Sequence, residues 1–256
     1  MSKRSLLLIP GAFAVPDLYD SLVNAVAAKG YEIKALHMPS VAPATGPKEG
    51  EPPTMYDDAA FIAKEAESLA DEGKDVIIMT HSYGGVPGTE SVRGLSKTER
   101  QKQGKKGGIV RLAYMTSLVL AVGDAATSAQ GDVKEQTPFT LDDKGWLSMP
   151  DIEKVAMTFS DVPSEEALPF ARRMTKHSAA SFANPLTYAG YKDVPVSYLL
   201  CEEDLAISSS AQRAGIELIE RESGRPVEVT SLKAGHAPTL SRPQEVEDWV
   251  VGLFES

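Results

Sequence analysis

The stretch from Asp75 to Gly85 constrains this chain more than any other. An apolar run rich in valine and isoleucine, 75–80, is followed at once by His81-Ser82-Tyr83-Gly84-Gly85. Such a run predicts a buried parallel strand, and the glycine pair predicts a tight turn into a helix. A serine at the tip of a strand–turn–helix unit is held in a strained backbone conformation with its hydroxyl exposed. Ser82 is therefore the first candidate for a nucleophile.

The rest of the chain alternates strands with helices, which predicts a mostly parallel α/β sheet covered by helices on both faces. Six strands are predicted, at 5–9, 31–36, 75–80, 109–115, 194–201 and 227–232. The alternation stops between 121 and 183, where the sequence has no further strand pattern and only loop and amphipathic helix patterns. We expect a core built from 1–120 and 184–256, with 121–183 inserted as a small helical lid over the carboxyl ends of the strands.

The composition is that of a globular protein with an acidic surface. The 256 residues include 26 basic and 36 acidic side chains, a formal net charge of −10, which disfavours nucleic acid as a partner. No apolar run reaches the roughly 20 residues of a membrane span, and the run 6–9 is too short for a signal peptide. Cys201 is the single cysteine, so no internal disulfide can form. We expect a cytoplasmic location.

A serine hydroxyl becomes a good nucleophile only when a base takes its proton, and an acid must orient that base. Of the four histidines, only His236 occupies a loop after the last predicted strand. Three acids compete at the end of the preceding strand, namely Glu202, Glu203 and Asp204. Because the carboxyl ends of parallel strands share one edge of the sheet, these side chains can meet Ser82 there.

The chain order of serine, acid and histidine, each after a strand of a parallel sheet, resembles that of the α/β-hydrolase superfamily. The likeness covers nearly the whole chain. The His-Ser-Tyr-Gly-Gly turn is most similar to a small-lid branch that contains plant methyl-ester esterases, hydroxynitrile lyases and many fungal and bacterial sequences. Thr80 stands where the commonest form of this turn has glycine, so its branched side chain should crowd the turn.

By this resemblance Ser82, Asp204 and His236 form a catalytic triad, because the acid of the branch is the aspartate of a Cys-x-x-Asp run. The predicted function is that of a serine hydrolase, which forms an acyl-enzyme on Ser82 and cleaves a small hydrophobic ester or lactone. Thioesters and amides stay open as substrates. Neither a metal nor an organic cofactor is expected, the partner is a small molecule, and the oligomeric state is left open.

The resemblance also implies an oxyanion hole. Its donors would be the backbone N–H groups of Ala12 and Tyr83, with Phe13 as the less favoured neighbour of Ala12, and such a donor contributes about 3 kcal/mol to transition-state stabilisation. Phe13 and two aromatic residues of the insert, Trp146 and Phe159, are the predicted apolar contacts of the substrate.

Two further functions would use the same residues. A lyase would use Ser82 and His236 to move a proton. Hydroxynitrile lyases on this scaffold have a lysine directly after the histidine and a threonine in the oxyanion loop, where this chain has Ala237 and Gly11. Other carbon–carbon bond cleavage stays open. The third function is that of a ligand-binding receptor. Turnover of the ligand that is faster than ligand exchange would exclude this function.

Overall fold

A computed structural model describes residues 3–47, 49–128 and 139–255 of the chain. It has one six-stranded sheet with helices on both faces, and an insert, residues 121–183, between the fourth and fifth strands of that sheet along the chain. The predicted fold class, a mostly parallel sheet flanked by helices, is confirmed.

The main sheet contains six strands, all parallel to their neighbours. Their bounds are β1 Arg4–Ile9, β2 Glu32–Ala35, β3 Asp75–Ser82, β4 Gly108–Ser117, β8 Val196–Cys201 and β9 Glu228–Leu232. The spatial order is β2-β1-β3-β4-β8-β9, so β3 and β4 lie at the centre and their carboxyl ends point to the same edge as those of β8 and β9.

Helices cover both faces of this sheet. On one face lie α1 Asp20–Ala28 and α10 Pro243–Glu255, on the other α2 Met55–Asp71 and α8 Ser209–Ser223, while the connections contain α3 Gly85–Glu90, α4 Lys97–Lys102 and α9 Pro238–Ser241. Side chains of β1 alternate between the two cores: Leu6 and Leu8 pack on the α1 side, whereas Leu7 and Ile9 pack on the α2 side. None of the described helices is long and apolar enough to cross a membrane.

The insert differs from its prediction. Besides the helices α5 Asp151–Thr158, α6 Ser164–Ala171 and α7 Ala180–Ala183, it contains three strands, β5 Thr140–Leu141, β6 Trp146–Ser148 and β7 His177–Ser178, which form an antiparallel sheet in that order. The expectation of helices alone was wrong because strands of two or three residues are too short to leave an alternating pattern in the sequence. Residues 129–138 of the insert lie outside the described part of the chain.

Candidate active site

Ser82 is the last residue of β3, at the start of the sharp turn into α3. Its φ is 53°, in the left-handed region that residues with side chains rarely adopt and that is common at functional sites. The turn is possible because Gly84 has no side chain: a Cβ there would be 2.6 Å from the carbonyl oxygens of both Ile9 and Pro10. The strand–turn–helix unit therefore forms as its sequence predicts.

Thr80, expected to crowd this turn, is accommodated by its neighbours. Its hydroxyl group is hydrogen-bonded to Ser117 Oγ at 2.9 Å. Its methyl carbon lies so close to Gly88 that a Cβ at that glycine would be only 2.5 Å away. A glycine in α3 thus provides the room that a threonine in the turn requires.

The side chains of Ser82, His236 and Asp204, which lie at or after the ends of three different strands, form a hydrogen-bonded set. His236, after β9, places Nε2 2.9 Å from Ser82 Oγ, and Asp204, after β8, places Oδ2 2.7 Å from His236 Nδ1. When Nδ1–H donates to the carboxylate, the lone pair of Nε2 faces the serine hydroxyl. This is the arrangement a base needs to take the hydroxyl proton.

The three acids that compete in the sequence differ sharply in burial. Asp204 is 5 % exposed, whereas the side chains of Glu202 and Glu203 are exposed to solvent. Of the three, the structure brings only Asp204 into contact with His236.

The carboxylate of Asp204 accepts four hydrogen bonds. Oδ1 accepts the backbone N–H groups of Ala206 and Ile207 at 2.7 and 2.9 Å, and Oδ2 accepts both His236 Nδ1–H and the Thr116 hydroxyl. Burial alone would raise the pKa of this carboxyl, but the charge of His236 and these hydrogen bonds outweigh burial. The pKa of Asp204 therefore lies below its ordinary value, and the group is ionised at neutral pH.

Thr116 also contacts the site, although its sequence context does not predict this. In the neighbouring strand β3, His81 pairs with Met115 and Ser82 pairs with Ser117. Thr116, between these two partners, is therefore an extra residue in β4, as in a β-bulge. Its φ of 38° is unusual for a β-branched residue. The bulge turns its hydroxyl towards Asp204, and nothing in the sequence of the strand marks the bulge.

The loop after β1 contains the predicted oxyanion donor. Gly11 N–H donates to the Tyr19 hydroxyl and Phe13 N–H donates to His177 Nδ1, each at 3.2 Å. Between them, the Ala12 N–H donates to no acceptor in the part of the chain that the structure describes, and the same is true of the N–H of Tyr83. The Phe13 donor is occupied, so the geometry favours Ala12 and Tyr83 as the predicted pair.

Two further histidines lie buried beside the site. Burial lowers the pKa of His177 to about 3. Burial, and after it the charge of His236, lowers the pKa of His81 to about 3. Both imidazoles are therefore neutral at physiological pH, and each uses both ring nitrogens in hydrogen bonds.

Acidification is expected to destabilise the fold through these two histidines. In the unfolded chain His81 and His177 take up protons near pH 6.5, but in the folded chain only near pH 3, so the unfolded state binds more protons between these values. Their stabilising contribution is full above the unfolded value and falls as the pH drops, by at most about 1.4 kcal/mol per pH unit for each histidine. Asp58 opposes this, because burial raises its pKa to about 6, but it is one group against two.

Urea unfolding at several pH values between neutral and mildly acidic would measure this effect. The replacement His177→Gln should flatten the pH dependence, and His37→Gln, at an exposed histidine, is the matched control. A wild-type free energy of unfolding that does not fall over this range would contradict the assignment of two neutral buried histidines.

A cavity of about 800 Å³ lies next to Ser82 and His236, and its walls are mostly apolar. The insert contributes many of the lining side chains, among them Phe139, Met149, Met157, Phe159, Phe170 and Phe182. Among the described residues that line the cavity, Glu153 is the one acidic side chain and none is lysine or arginine.

The predicted substrate contacts have different positions relative to this cavity. Phe13 and Phe159 line it, and Phe13 stacks on Phe139 with ring centroids 5.5 Å apart. Trp146 lies in β6, where its backbone pairs with Ser178. It is buried but is not among the described residues that line the cavity. The structure therefore corrects the expectation that Trp146 contacts the substrate.

A contact that the sequence did not indicate joins the insert to the loop of His236. Asp161, between α5 and α6, accepts the Gly235 N–H at 2.7 Å through Oδ2. A Cβ at Gly235 would be 2.5 Å from Asp161 Oδ1, so the close approach requires glycine.

Within the described residues, no three His, Cys, Asp or Glu side chains are placed to hold one metal ion.

Several known proteins are similar to this chain in sequence and in fold. The sequence profile of the alpha/beta hydrolase family matches residues 6–249. A probable hydrolase, R7, from Phoma sp. is 31% identical over 253 residues, which cover 99% of each chain. A pyrethroid hydrolase from Sphingobium wenxiniae is 26% identical over 268 residues and covers 100% of this chain and 89% of its own.

The crystal structure of tomato methylketone synthase I has the same fold, with a TM-score of 0.75 at 15% identity over 99% of this chain and 98% of its own. The profile match and the Phoma relative, both spanning nearly the full length, confirm the resemblance seen in the sequence: this protein belongs to the alpha/beta hydrolase family.

Proposed function

We propose that this protein is a serine hydrolase that cleaves a hydrophobic carboxylic ester or lactone through an acyl-enzyme on Ser82. One observation carries the proposal. Ser82 Oγ is 2.9 Å from His236 Nε2, and His236 Nδ1 is 2.7 Å from a buried Asp204 carboxylate, beside an apolar cavity. Hydroxyl, base and acid are thus in hydrogen-bond contact with one another.

In the proposed reaction, Ser82 Oγ attacks the ester carbonyl carbon while His236 takes the hydroxyl proton, and Asp204 stabilises the resulting imidazolium. The negative charge that develops on the carbonyl oxygen is stabilised by the N–H groups of Ala12 and Tyr83. His236 then gives its proton to the departing alcohol. A water molecule, deprotonated in turn by His236, attacks the acyl-enzyme carbonyl, and His236 gives that proton to Ser82 Oγ as the acid is released.

The cavity supports an uncharged substrate of substantial size. Its volume of about 800 Å³ is in the range of sites for drug-sized ligands, larger than a small ester requires. The absence of lysine and arginine from its described lining residues disfavours a free carboxylate group on the substrate. A relative is named a pyrethroid hydrolase, which supports hydrolysis as the reaction.

Two measurements together test the proposal. A fluorophosphonate should add to one residue, which peptide mapping should identify as Ser82, and aryl esters of increasing chain length should be hydrolysed with an acyl-enzyme visible by intact mass. Labelling of Ser82 without turnover of any ester, lactone or thioester would contradict the hydrolase and favour a ligand receptor.

We further propose that the insert acts as a lid that selects the substrate, because its aromatic side chains share a cavity with Ser82. Phe159→Ala should shift the ester preference towards longer chains, changing the ratio of kcat/KM between long and short esters by about tenfold. The rate of labelling by a small fluorophosphonate should change much less, since a small reagent does not reach the wall. Initial rates across the ester series measure the shift.

Phe254→Ala is the matched control for this prediction. Phe254 is buried to a similar degree in α10, on a face of the sheet away from the insert, where its ring stacks on Tyr31. The Phe254→Ala variant should be less stable than the wild type but should keep the chain-length preference of the wild type. If Phe159→Ala left the preference unchanged, or if both variants shifted it alike, the insert would not select the substrate.

A further inference from the structure

A chain of three hydrogen bonds links the oxyanion loop to the loop of His236 behind the proposed triad. Gly11 N–H donates to the Tyr19 hydroxyl oxygen at 3.2 Å, the Tyr19 hydroxyl is 2.7 Å from His81 Nδ1, and His81 Nε2 is 2.7 Å from the backbone carbonyl oxygen of His236. The side chains of Tyr19 and His81 are more than nine-tenths buried. We call this set of residues the relay.

The direction of every bond in the relay follows from its two ends together with the neutral state of the buried His81 imidazole. A backbone N–H can only donate, so Tyr19 Oη accepts from Gly11, and its own proton is then given to His81 Nδ1. A backbone carbonyl can only accept, so His81 Nε2 must carry a proton towards His236. Because burial keeps the His81 imidazole neutral, its one proton is on Nε2, and Nδ1 accepts the Tyr19 hydroxyl proton.

We propose that His81 is a positioning residue, which through Tyr19 holds the oxyanion loop and the loop of the base at a fixed separation. The inference rests on the proposed function, since it assigns His81 to the same site. His81 directly precedes Ser82, so the relay passes through the nucleophile turn. It reaches the loop of the base at the His236 carbonyl and the loop after β1 at the Gly11 amide, next to Ala12.

The surroundings of His81 argue for a role in the site and not only in the core. Its ring lies against that of His236, with centroids 4.9 Å apart, and both His81 and Tyr19 line the cavity. On the far side of Ala12, His177 accepts the Phe13 N–H. Both neighbours of the Ala12 N–H, which has no acceptor among the described residues, are thus fixed by histidine-based contacts. Displacement of such a group by about 1 Å can cost about 100-fold in rate.

Two isosteric replacements separate positioning from simple core packing. In His81→Gln the amide nitrogen can occupy the position of Nε2 and still donate to the His236 carbonyl, whereas the bond with Tyr19 is lost. In His81→Asn the amide oxygen can take the position of Nδ1 and accept from Tyr19, but nothing reaches the His236 carbonyl. Each variant keeps one of the two buried bonds, so their thermal unfolding temperatures should be similar.

We expect His81→Asn, which releases the loop of the base itself, to lower kcat by about 100-fold with little change in KM. His81→Gln, which releases only Tyr19 and through it the neighbour of Ala12, should lower kcat by no more than about tenfold. Equal losses in the two variants, or a wild-type kcat in His81→Asn, would overturn the proposal. Failure of Ser82 to react with fluorophosphonate in the wild type would instead overturn the proposed function, so the two failures are distinguishable.

A milder variant and a spectroscopic readout cover the case in which replacements of His81 do not fold. Tyr19→Phe removes only the hydroxyl and should slow phosphonylation of Ser82 by about tenfold, because Gly11 N–H loses its acceptor. Nitrogen NMR of the wild type should find His81 neutral with its proton on Nε2 at neutral pH. A proton on Nδ1, or an unchanged phosphonylation rate in Tyr19→Phe, would overturn the relay.

Discussion

Replacing Ser82 by alanine is expected to lower ester turnover by about 10⁶-fold, because no acyl-enzyme can form and His236 is left without a hydroxyl to deprotonate. Fluorophosphonate labelling should disappear with it. The free energy of unfolding should stay within about 1 kcal/mol of the wild type, since the change removes one partly buried oxygen. Turnover of an aryl ester, intact mass after labelling and urea unfolding measure the three quantities.

Ser210→Ala is a suitable control for the loss of a serine. Ser210 is exposed at the start of α8 and its hydroxyl contacts Ser208, not the proposed triad. This variant should retain full turnover and full labelling. If Ser82→Ala retained more than a trace of turnover, or if the label were found on another serine, the nucleophile would be wrongly assigned.

Those parts of the site that depend on strand order could be predicted from the sequence. The position of Ser82 follows from a Val/Ile-rich strand ending in a small-residue turn, and His236 is the one histidine after the last strand. Parallel strands bring their carboxyl ends to one edge, so residues 154 positions apart in the chain could be expected to meet there. The choice of Asp204 among three acids needed the family resemblance.

Other parts could not be predicted because they depend on contacts between distant segments. The bulge that directs Thr116 towards Asp204 is a shift in pairing between β3 and β4, which no residue of either strand signals. The insert strands are too short to show a period, so the sequence could not indicate that Trp146 lies in one of them and is not among the described residues lining the cavity. The relay through His81 requires the positions of two loops at once.

Backbone strain concentrates at the proposed site. Among the described residues other than glycine, positive φ angles occur at Phe13, Ser82 and Thr116. These residues lie beside the proposed oxyanion donor Ala12, at the proposed nucleophile, and in the bulge beside the proposed acid. Each such residue costs of order 1–3 kcal/mol and persists only where the surroundings enforce it. The hydrogen bonds of Phe13 to His177 and of Thr116 to Asp204 are part of that enforcement.

Replacing Asp204 by asparagine is expected to lower kcat by about 10⁴-fold with little change in KM, and the hydrogen bonds of this carboxylate explain why. Oδ1 accepts two backbone N–H groups, of Ala206 and Ile207, which cannot become acceptors. The amide oxygen of asparagine must therefore occupy that position, and its NH₂ group must take the place of Oδ2. There the NH₂ group donates to His236 Nδ1, so the imidazole proton moves to Nε2. A protonated Nε2 faces Ser82 and cannot accept the hydroxyl proton.

The neighbouring acids provide the matched controls for this prediction. Glu202→Gln and Glu203→Gln make the same chemical change at exposed side chains two positions and one position before Asp204, and should leave kcat within about twofold of the wild type. Steady-state kinetics of the three variants on one ester, with unfolding temperatures, compare them directly. A mild effect of Asp204→Asn together with a large effect of either glutamine variant would show that the acid is misassigned. Because Asp204 differs from its two neighbours in contacting His236, the three variants test the contact and not the local charge.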